Sequence, residues 1–331
     1  MAQSFTFADL TPDLILDAIE DTGIRVDSGL LALNSYENRV YQFQDEDKTR
    51  YVVKFYRPQR WRNEQIQEEH DYALELVEHD IPLAAPLSIN GKTLHHYQDY
   101  AFAVFPSVGG RQFEVDNLDQ LEWMGRFIGR MHAVGARQPF SHRDIFSVQT
   151  HLHEPLQQLQ QSQLIPSHLH QAFFTILEQV VQLATEHYLS ALANVNHAQS
   201  IRLHGDCHPG NILWRDGPTF VDLDDCRNGP AVQDLWMMLS GDRQQQLLQL
   251  DTLVNAYEEF FEFDHAQLKL IEPLRAMRMV HYMAWLENRW QDPAFPRAFP
   301  WFAEDKYWEQ QILSLKEQFS SLHEPALSLM P

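Results

Sequence analysis

The stretch LHGDCHPGNILWRDGPTFVDLDD, Leu203 to Asp225, limits the possible folds more than any other part of the chain. A short apolar run leads into Asp206, and Asn211 follows five residues later. Two β-like runs, Ile212–Trp214 and Thr219–Val221, then flank the turn Arg215–Asp216–Gly217–Pro218. Asp222 ends the second run, so a hairpin here gathers three oxygen-bearing side chains at one end of a small sheet. A lone Asp in a loop is ordinarily a turn or cap residue. The ordered trio at hairpin spacing is more specific. Hard cations such as Mg2+ take carboxylate and carbonyl oxygens, with water and phosphate completing the shell. The pattern suits metal-assisted phosphoryl transfer, in which the first Asp orients a hydroxyl while Asn211 and Asp222 hold metal.

The rest of the chain supplies two differently patterned units. A length of 331 residues is a prior for roughly two compact units. Thr11 and Pro12 suit the start of a short helix over Thr11–Asp21. Three β-like runs follow at Leu30–Leu33, Arg39–Phe43 and Arg50–Tyr56, then a helix-favouring stretch from Trp61 to Asp80, ended by Pro82 and Pro86. The turn Asn90–Gly91 and the run YAFAVF, Tyr100–Phe105, complete a sheet-rich unit. After Ser107 the apolar period turns helical: Leu118, Leu121, Met124, Phe127, Ile128 and Met131 share one face. The Gln-rich stretch 156–192 reads as a helical pair. Further helices fall at 246–262, 268–290 and 304–322, with DPAFPRAFPW as a Pro-punctuated loop.

Charge and cysteine content narrow the function. Lys and Arg total 25 against 46 for Asp and Glu, a formal charge of −21 that repels a phosphate backbone, so no nucleic-acid partner is expected. The opening MAQSFTFADL lacks a basic and apolar leader, and no stretch approaches 18 uninterrupted apolar residues. With only Cys207 and Cys226, a disulfide framework is ruled out. These features predict a cytoplasmic protein without membrane insertion.

HGDCHPGN resembles the catalytic loop HGD-x-H-x-x-N of the aminoglycoside-phosphotransferase and choline-kinase branch of the protein-kinase-like fold, and FVDLDD resembles the strand that follows it. The resemblance implies an α+β, two-lobed protein-kinase-like fold. Residues 1–107 would form an N-lobe with an antiparallel sheet and one main helix. Residues 108–331 would form a mainly helical C-lobe with a small catalytic hairpin. It implies that Asp206 is the catalytic base, that Asn211 and Asp222 bind Mg2+, with Asp222 also catalytic, and that His208 braces the loop. In VVKFY, Lys54 is the expected nucleotide lysine; a strand Lys is more often a solvated edge residue, but Lys54 stands among Val52, Val53 and Phe55. Its partner is a Glu on the next helix, where Glu69 keeps the family register to Pro82 and Glu68 competes. The blocks LNSYENRVYQF, VVKFYRP, FAVFPSVGGRQFE, FVDLDDCRNGPAVQDLW and IEPLRAMRMVHYMAWL are similar to a bacterial stress-response group within this branch. That similarity implies a monomeric ATP- and Mg2+-dependent kinase of serine and threonine on proteins, able to autophosphorylate. A small-molecule kinase of the aminoglycoside, choline or homoserine type is the alternative.

Between the first two strands, NSYENR has no glycine where a G-x-G-x-x-G loop would place three. A plain hairpin turn is one reading. A tight turn whose amides cradle phosphate, with Ser35 adding a hydroxyl, is the other. Backbone groups from Phe105 to Ser107 are expected to meet adenine. Asp234 supports the catalytic loop by the resemblance, or simply starts a helix. HRDIFSVQ, His142–Gln149, imitates a kinase loop, but Gln149 stands where Asn is needed, so a surface turn is expected. His204, Cys207, His208 and Cys226 fit no common zinc spacing. A phosphatase reading of VDLDDC leaves Asp206 and Asn211 unexplained.

Overall fold

The computed structural model describes residues 7–195 and 200–329, so the first six residues of the opening MAQSFTFADL lie outside it. Helix α1 (Pro12–Asp21) starts where the sequence places a cap, with Leu14 N–H donating to the Thr11 hydroxyl. It packs on a five-stranded antiparallel sheet of order β1-β2-β3-β5-β4. The strands are β1 (Leu31–Ala32), β2 (Arg39–Gln44), β3 (Arg50–Phe55), β4 (His95–Tyr97) and β5 (Tyr100–Pro106). Strand alternation divides the side chains of β3 and β5 between two faces. Val53, Phe55, Phe102 and Val104 join Ile15 and Ile19 of α1 in one buried cluster. Lys54, which pairs with Ala103 across the strands, belongs to the opposite face, beneath helix α2 (Asn63–Glu78).

Helix α2 joins the sheet to the rest of the chain. Near its start Ile66 meets Tyr56 and Ala103, whereas Tyr72, Ala73 and Leu76 enter the large core of the helical part. That part contains α3 (Leu118–Gly135), a π-helical turn at Gln149–His153 leading into α4 (Glu154–Leu159), and α5 (His170–Leu192). It continues with α6 (Gln233–Trp236), α7 (Arg243–Tyr257), α8 (Ile271–Arg289), α9 (Ala294–Ala298) and α10 (Asp305–His323). Helices α3 and α7 approach so closely that a Cβ on Gly125 would lie 2.4 Å from the Leu253 carbonyl oxygen, so only glycine fits there.

Three short strands carry the centre of interest: β6 (Arg111–Gln112), β8 (Ile212–Trp214) and β9 (Pro218–Phe220), in the order β6-β8-β9. Beside them β7 (Ser200–Leu203) pairs with β10 (Arg227–Pro230). The hairpin is tied to the loop after α2: Phe220 N–H donates to Pro82 O and Ala84 N–H donates to Phe220 O. No helix among the described residues is long and apolar enough to cross a membrane.

Several expectations need correction. The DPAFPRAFPW segment is not a plain loop, since α9 and a 3-10 turn at Pro300–Ala303 occupy it. Strand β9 stops at Phe220, so Asp222 lies beyond the strand, with a left-handed φ of 63°. His142–Gln149 is not simply a surface turn. Arg143 is buried, donating to Gln65 O at 2.8 Å and Asp224 O at 2.7 Å and pairing with Glu69.

Candidate active site

A cleft of about 700 Å3 separates the sheet from the helices, and Ser35, Lys54, Glu69, Phe105, Asp206, Asn211 and Asp222 all line it. Its volume falls in the range that holds a nucleotide-sized ligand. Strand β3 delivers Lys54 from above. Its ammonium lies 3.1 Å from Asp222, 3.0 Å from Asp224 and 3.5 Å from Glu69. Burial alone would push this ammonium down, but the carboxylates of Asp222, Asp224 and Glu69 outweigh it and hold its pKa well above the ordinary value. Lys54 is therefore charged throughout the physiological range.

The two candidate carboxylates on α2 separate cleanly. Glu69 is buried between Lys54 and Arg143, whereas Glu68 caps a neighbouring turn, accepting the backbone N–H groups of Ser141, His142 and Arg143. They are sequence neighbours on a helix, and a rotation of 100° per residue sends one inward and the other sideways.

Below the cleft, the segment after β7 is held by its own hydrogen bonds. Asn211 Nδ2 donates to Asp206 O at 3.0 Å, which directs its Oδ1 away from the loop, and Val221 N–H donates to Asn211 O. His208 accepts Gly210 N–H on Nδ1, and its Nε2 lies 3.4 Å from Asp206 Oδ2. Asp206 Oδ1 accepts from Arg278 of α8. Burial pushes the Asp206 carboxyl up, but the His208 hydrogen bond and the Arg278 charge more than offset this and hold it well below the usual carboxylate range. Asp234 is fully buried and accepts His204 N–H at 2.7 Å, Gly205 N–H at 2.9 Å and His132 Nε2–H at 3.0 Å. Of its two readings, loop support is the one the contacts satisfy.

Two expected contacts take a different form. Ser35 lines the cleft with its hydroxyl donating to Asn38 O at 3.4 Å, closing its own turn. Ser107 does not line it: its N–H donates to Arg50 O at 3.1 Å and its hydroxyl accepts from Gln42. The ladder that extends β5 takes up the donor expected to meet adenine, leaving Phe105 at the cleft edge. Sequence reasoning also passed over Arg60, Asp224 and Asp225. Arg60 bridges Asp224 and Asp225, and Asn38 donates to Asp224 at 3.1 Å. The doubled acids in VDLDD hinted at further cations; nothing local pointed to Arg60.

Among the described residues, no three His, Cys, Asp or Glu side chains form a ready metal cluster. The donor set still suits a hard cation, because the half-exposed Asp222 carboxylate and the free side of the Asn211 amide are both oxygen donors at one cleft.

The profile of the phosphotransferase enzyme family matches residues 30–271, well over half of the chain. The chain belongs to that family. This phosphotransferase is 56% identical over 328 residues to stress response kinase A of Escherichia coli K12, covering 99% of this chain and 98% of that one. It has the same identity over the same length to the serine/threonine protein kinase RdoA of Salmonella typhimurium LT2. Among solved structures, an amicoumacin kinase in complex with AMP-PNP and Ca2+ superposes with a TM-score of 0.72 at 18% identity, covering 94% of this chain and 93% of that one. The chain therefore has a protein-kinase-like α+β fold, and the enzyme is a kinase.

Proposed function

We propose that the enzyme transfers the γ-phosphate of ATP to serine and threonine hydroxyls of proteins, with Mg2+, and that it serves a bacterial stress response. The observation that carries this reading is the meeting of Lys54, from the sheet, with Glu69 and Asp222 in a cleft that also holds Asp206 and Asn211. The names of the 56%-identical relatives supply the protein acceptor and the stress setting.

In this reading residues 1–107 bind nucleotide and 108–331 supply the catalytic loop 204–211. Lys54, oriented by Glu69, contacts phosphate oxygens as a fixed cation. Phe105 lies at the adenine edge, and Ser35 stands on the phosphate side. Asn211 and Asp222 would hold the Mg2+, which when bound neutralises charge on the transferring phosphoryl group. Asp206 meets the acceptor hydroxyl. Because its carboxylate is held ionised and weakly basic, it orients that hydroxyl and takes the proton late, as the phosphoryl group leaves. We further propose that the protein is cytoplasmic and monomeric, and that it phosphorylates itself.

The test is transfer of labelled γ-phosphate, with Mg2+, to the enzyme itself, to a general basic protein, and to a panel of amino and hydroxyl compounds. Label on protein serine or threonine is expected. Label only on a small molecule would move the acceptor to the aminoglycoside, choline or homoserine class and leave the site residues standing.

A further inference from the structure

The turn Asn34–Arg39 lacks the glycines that let a phosphate-covering loop close on its ligand, yet it is bound to the opposite side of the cleft. Glu37 at its tip accepts the Trp285 indole N–H at 2.6 Å and lies 3.0 Å from the Arg289 guanidinium, both on α8. Tyr36 meets the Phe299 ring edge-on at 4.7 Å between centroids. At the base of the turn Arg39 and Arg57 converge on Asp292, just beyond α8, at 3.0 and 2.7 Å. Arg57 also donates to Glu37 O at 3.0 Å, so the turn is held through its backbone as well as its side chains. The Glu37 and Asp292 side chains are only 11% and 4% exposed, which protects these ion pairs from salt.

These contacts leave the cleft open, since about 700 Å3 remains beneath the turn. A loop pinned from outside over an open cavity is preorganised. We infer that Glu37 is a positioning residue for the nucleotide, holding the glycine-less phosphate-side turn in its binding form through Trp285 and Arg289 of α8. The inference rests on the reading of the cleft as an ATP site. Arg278, which holds Asp206, lies on the same helix, so α8 supports both the nucleotide turn and the catalytic loop.

Freeing a loop makes the ligand bear the ordering of the backbone, and ordering one or two residues corresponds to about tenfold or more in affinity. The effect should be felt mostly in the dissociation rate. The test is stopped-flow release of a fluorescent ATP analogue with Mg2+ from the wild type, Glu37→Ala, Arg289→Ala and the double variant. KM values for ATP and for a protein acceptor are measured alongside. Release about tenfold faster is expected in Glu37→Ala and about threefold or more in Arg289→Ala, where Trp285 and Arg57 still hold the Glu37 carboxylate, with no gain in the double beyond Glu37→Ala and with partial rescue by Arg289→Lys. KM should rise for ATP and stay within about threefold for the acceptor, a split that general loss of structure would not give. Arg289→Ala leaves the turn's own sequence intact and decides the matter if Glu37→Ala does not fold. Release rates within about twofold of wild type in a folded Arg289→Ala would overturn the inference. A wild type that binds no nucleotide would instead overturn the reading of the cleft.

Discussion

Replacing Asp234 tests how the catalytic loop is held. Its carboxylate has no exposed surface and serves three donors, the N–H groups of His204 and Gly205 and the His132 ring. In Asp234→Ala all three lose their acceptor inside the core. An unsatisfied buried donor costs about 1–3 kcal/mol, and partial relaxation around the hole brings the expected total to about 4 kcal/mol. Asp234→Asn keeps the size and one acceptor oxygen but turns an NH2 toward other donors, so about 2 kcal/mol is expected. Because Gly205 directly precedes Asp206, loosening this bond also moves the carboxylate proposed to meet the acceptor hydroxyl, and transfer in Asp234→Asn should slow by about tenfold to a hundredfold. Urea titration followed by fluorescence gives the stabilities, and phosphate transfer at saturating ATP gives the rate. If Asp234→Asn lies within about 0.5 kcal/mol of wild type and transfers phosphate at the same rate, the bracing argument is wrong.

Other outcomes follow from the same contacts. Lys54→Met removes the cation shared by Glu69, Asp222 and Asp224, and transfer should fall by about a hundredfold or more while the far-ultraviolet circular dichroism is retained. Arg143→Ala breaks a buried pair with Glu69 and frees two carbonyls, so a loss of about 3–5 kcal/mol is expected in the same urea assay. His70 is buried against Tyr56 and Thr93, and burial lowers its pKa to about 3. The unfolded chain therefore binds one more proton than the folded one between the two pKa values. Stability should then fall as the pH drops from about 6 to 4, by up to about 1.4 kcal/mol per unit from this group. A His70→Gln variant should show a shallower slope over that window.

How much of this was legible in the sequence depends on how far apart the partners lie. Asp206, Asn211 and Asp222 fall within a few residues of one hairpin, whereas Glu69 stood out from Glu68 only by its family register to Pro82, and it is the contacts of the fold that separate the two. The alternation of Val53, Lys54 and Phe55 across β3 puts Lys54 on the face opposite α1. By contrast Arg60, Arg143, Arg278 and Glu37 find partners far along the chain, and no local spacing encodes such pairs. Arg143 was hidden further by a kinase-like HRD triplet whose role here is structural. Ser107 was misplaced because strand pairing with Arg50 consumes its N–H, a register effect that composition does not carry.

The central claim is that Asp206 orients the hydroxyl to be phosphorylated. Single-turnover transfer of labelled γ-phosphate by wild type and Asp206→Ala, each with nucleotide bound and its fold checked by circular dichroism, tests it most directly. The account predicts a rate lower by about 10²–10⁴-fold in the variant with nucleotide affinity little changed. An intact Asp206→Ala protein that transfers phosphate at the wild-type rate would contradict it.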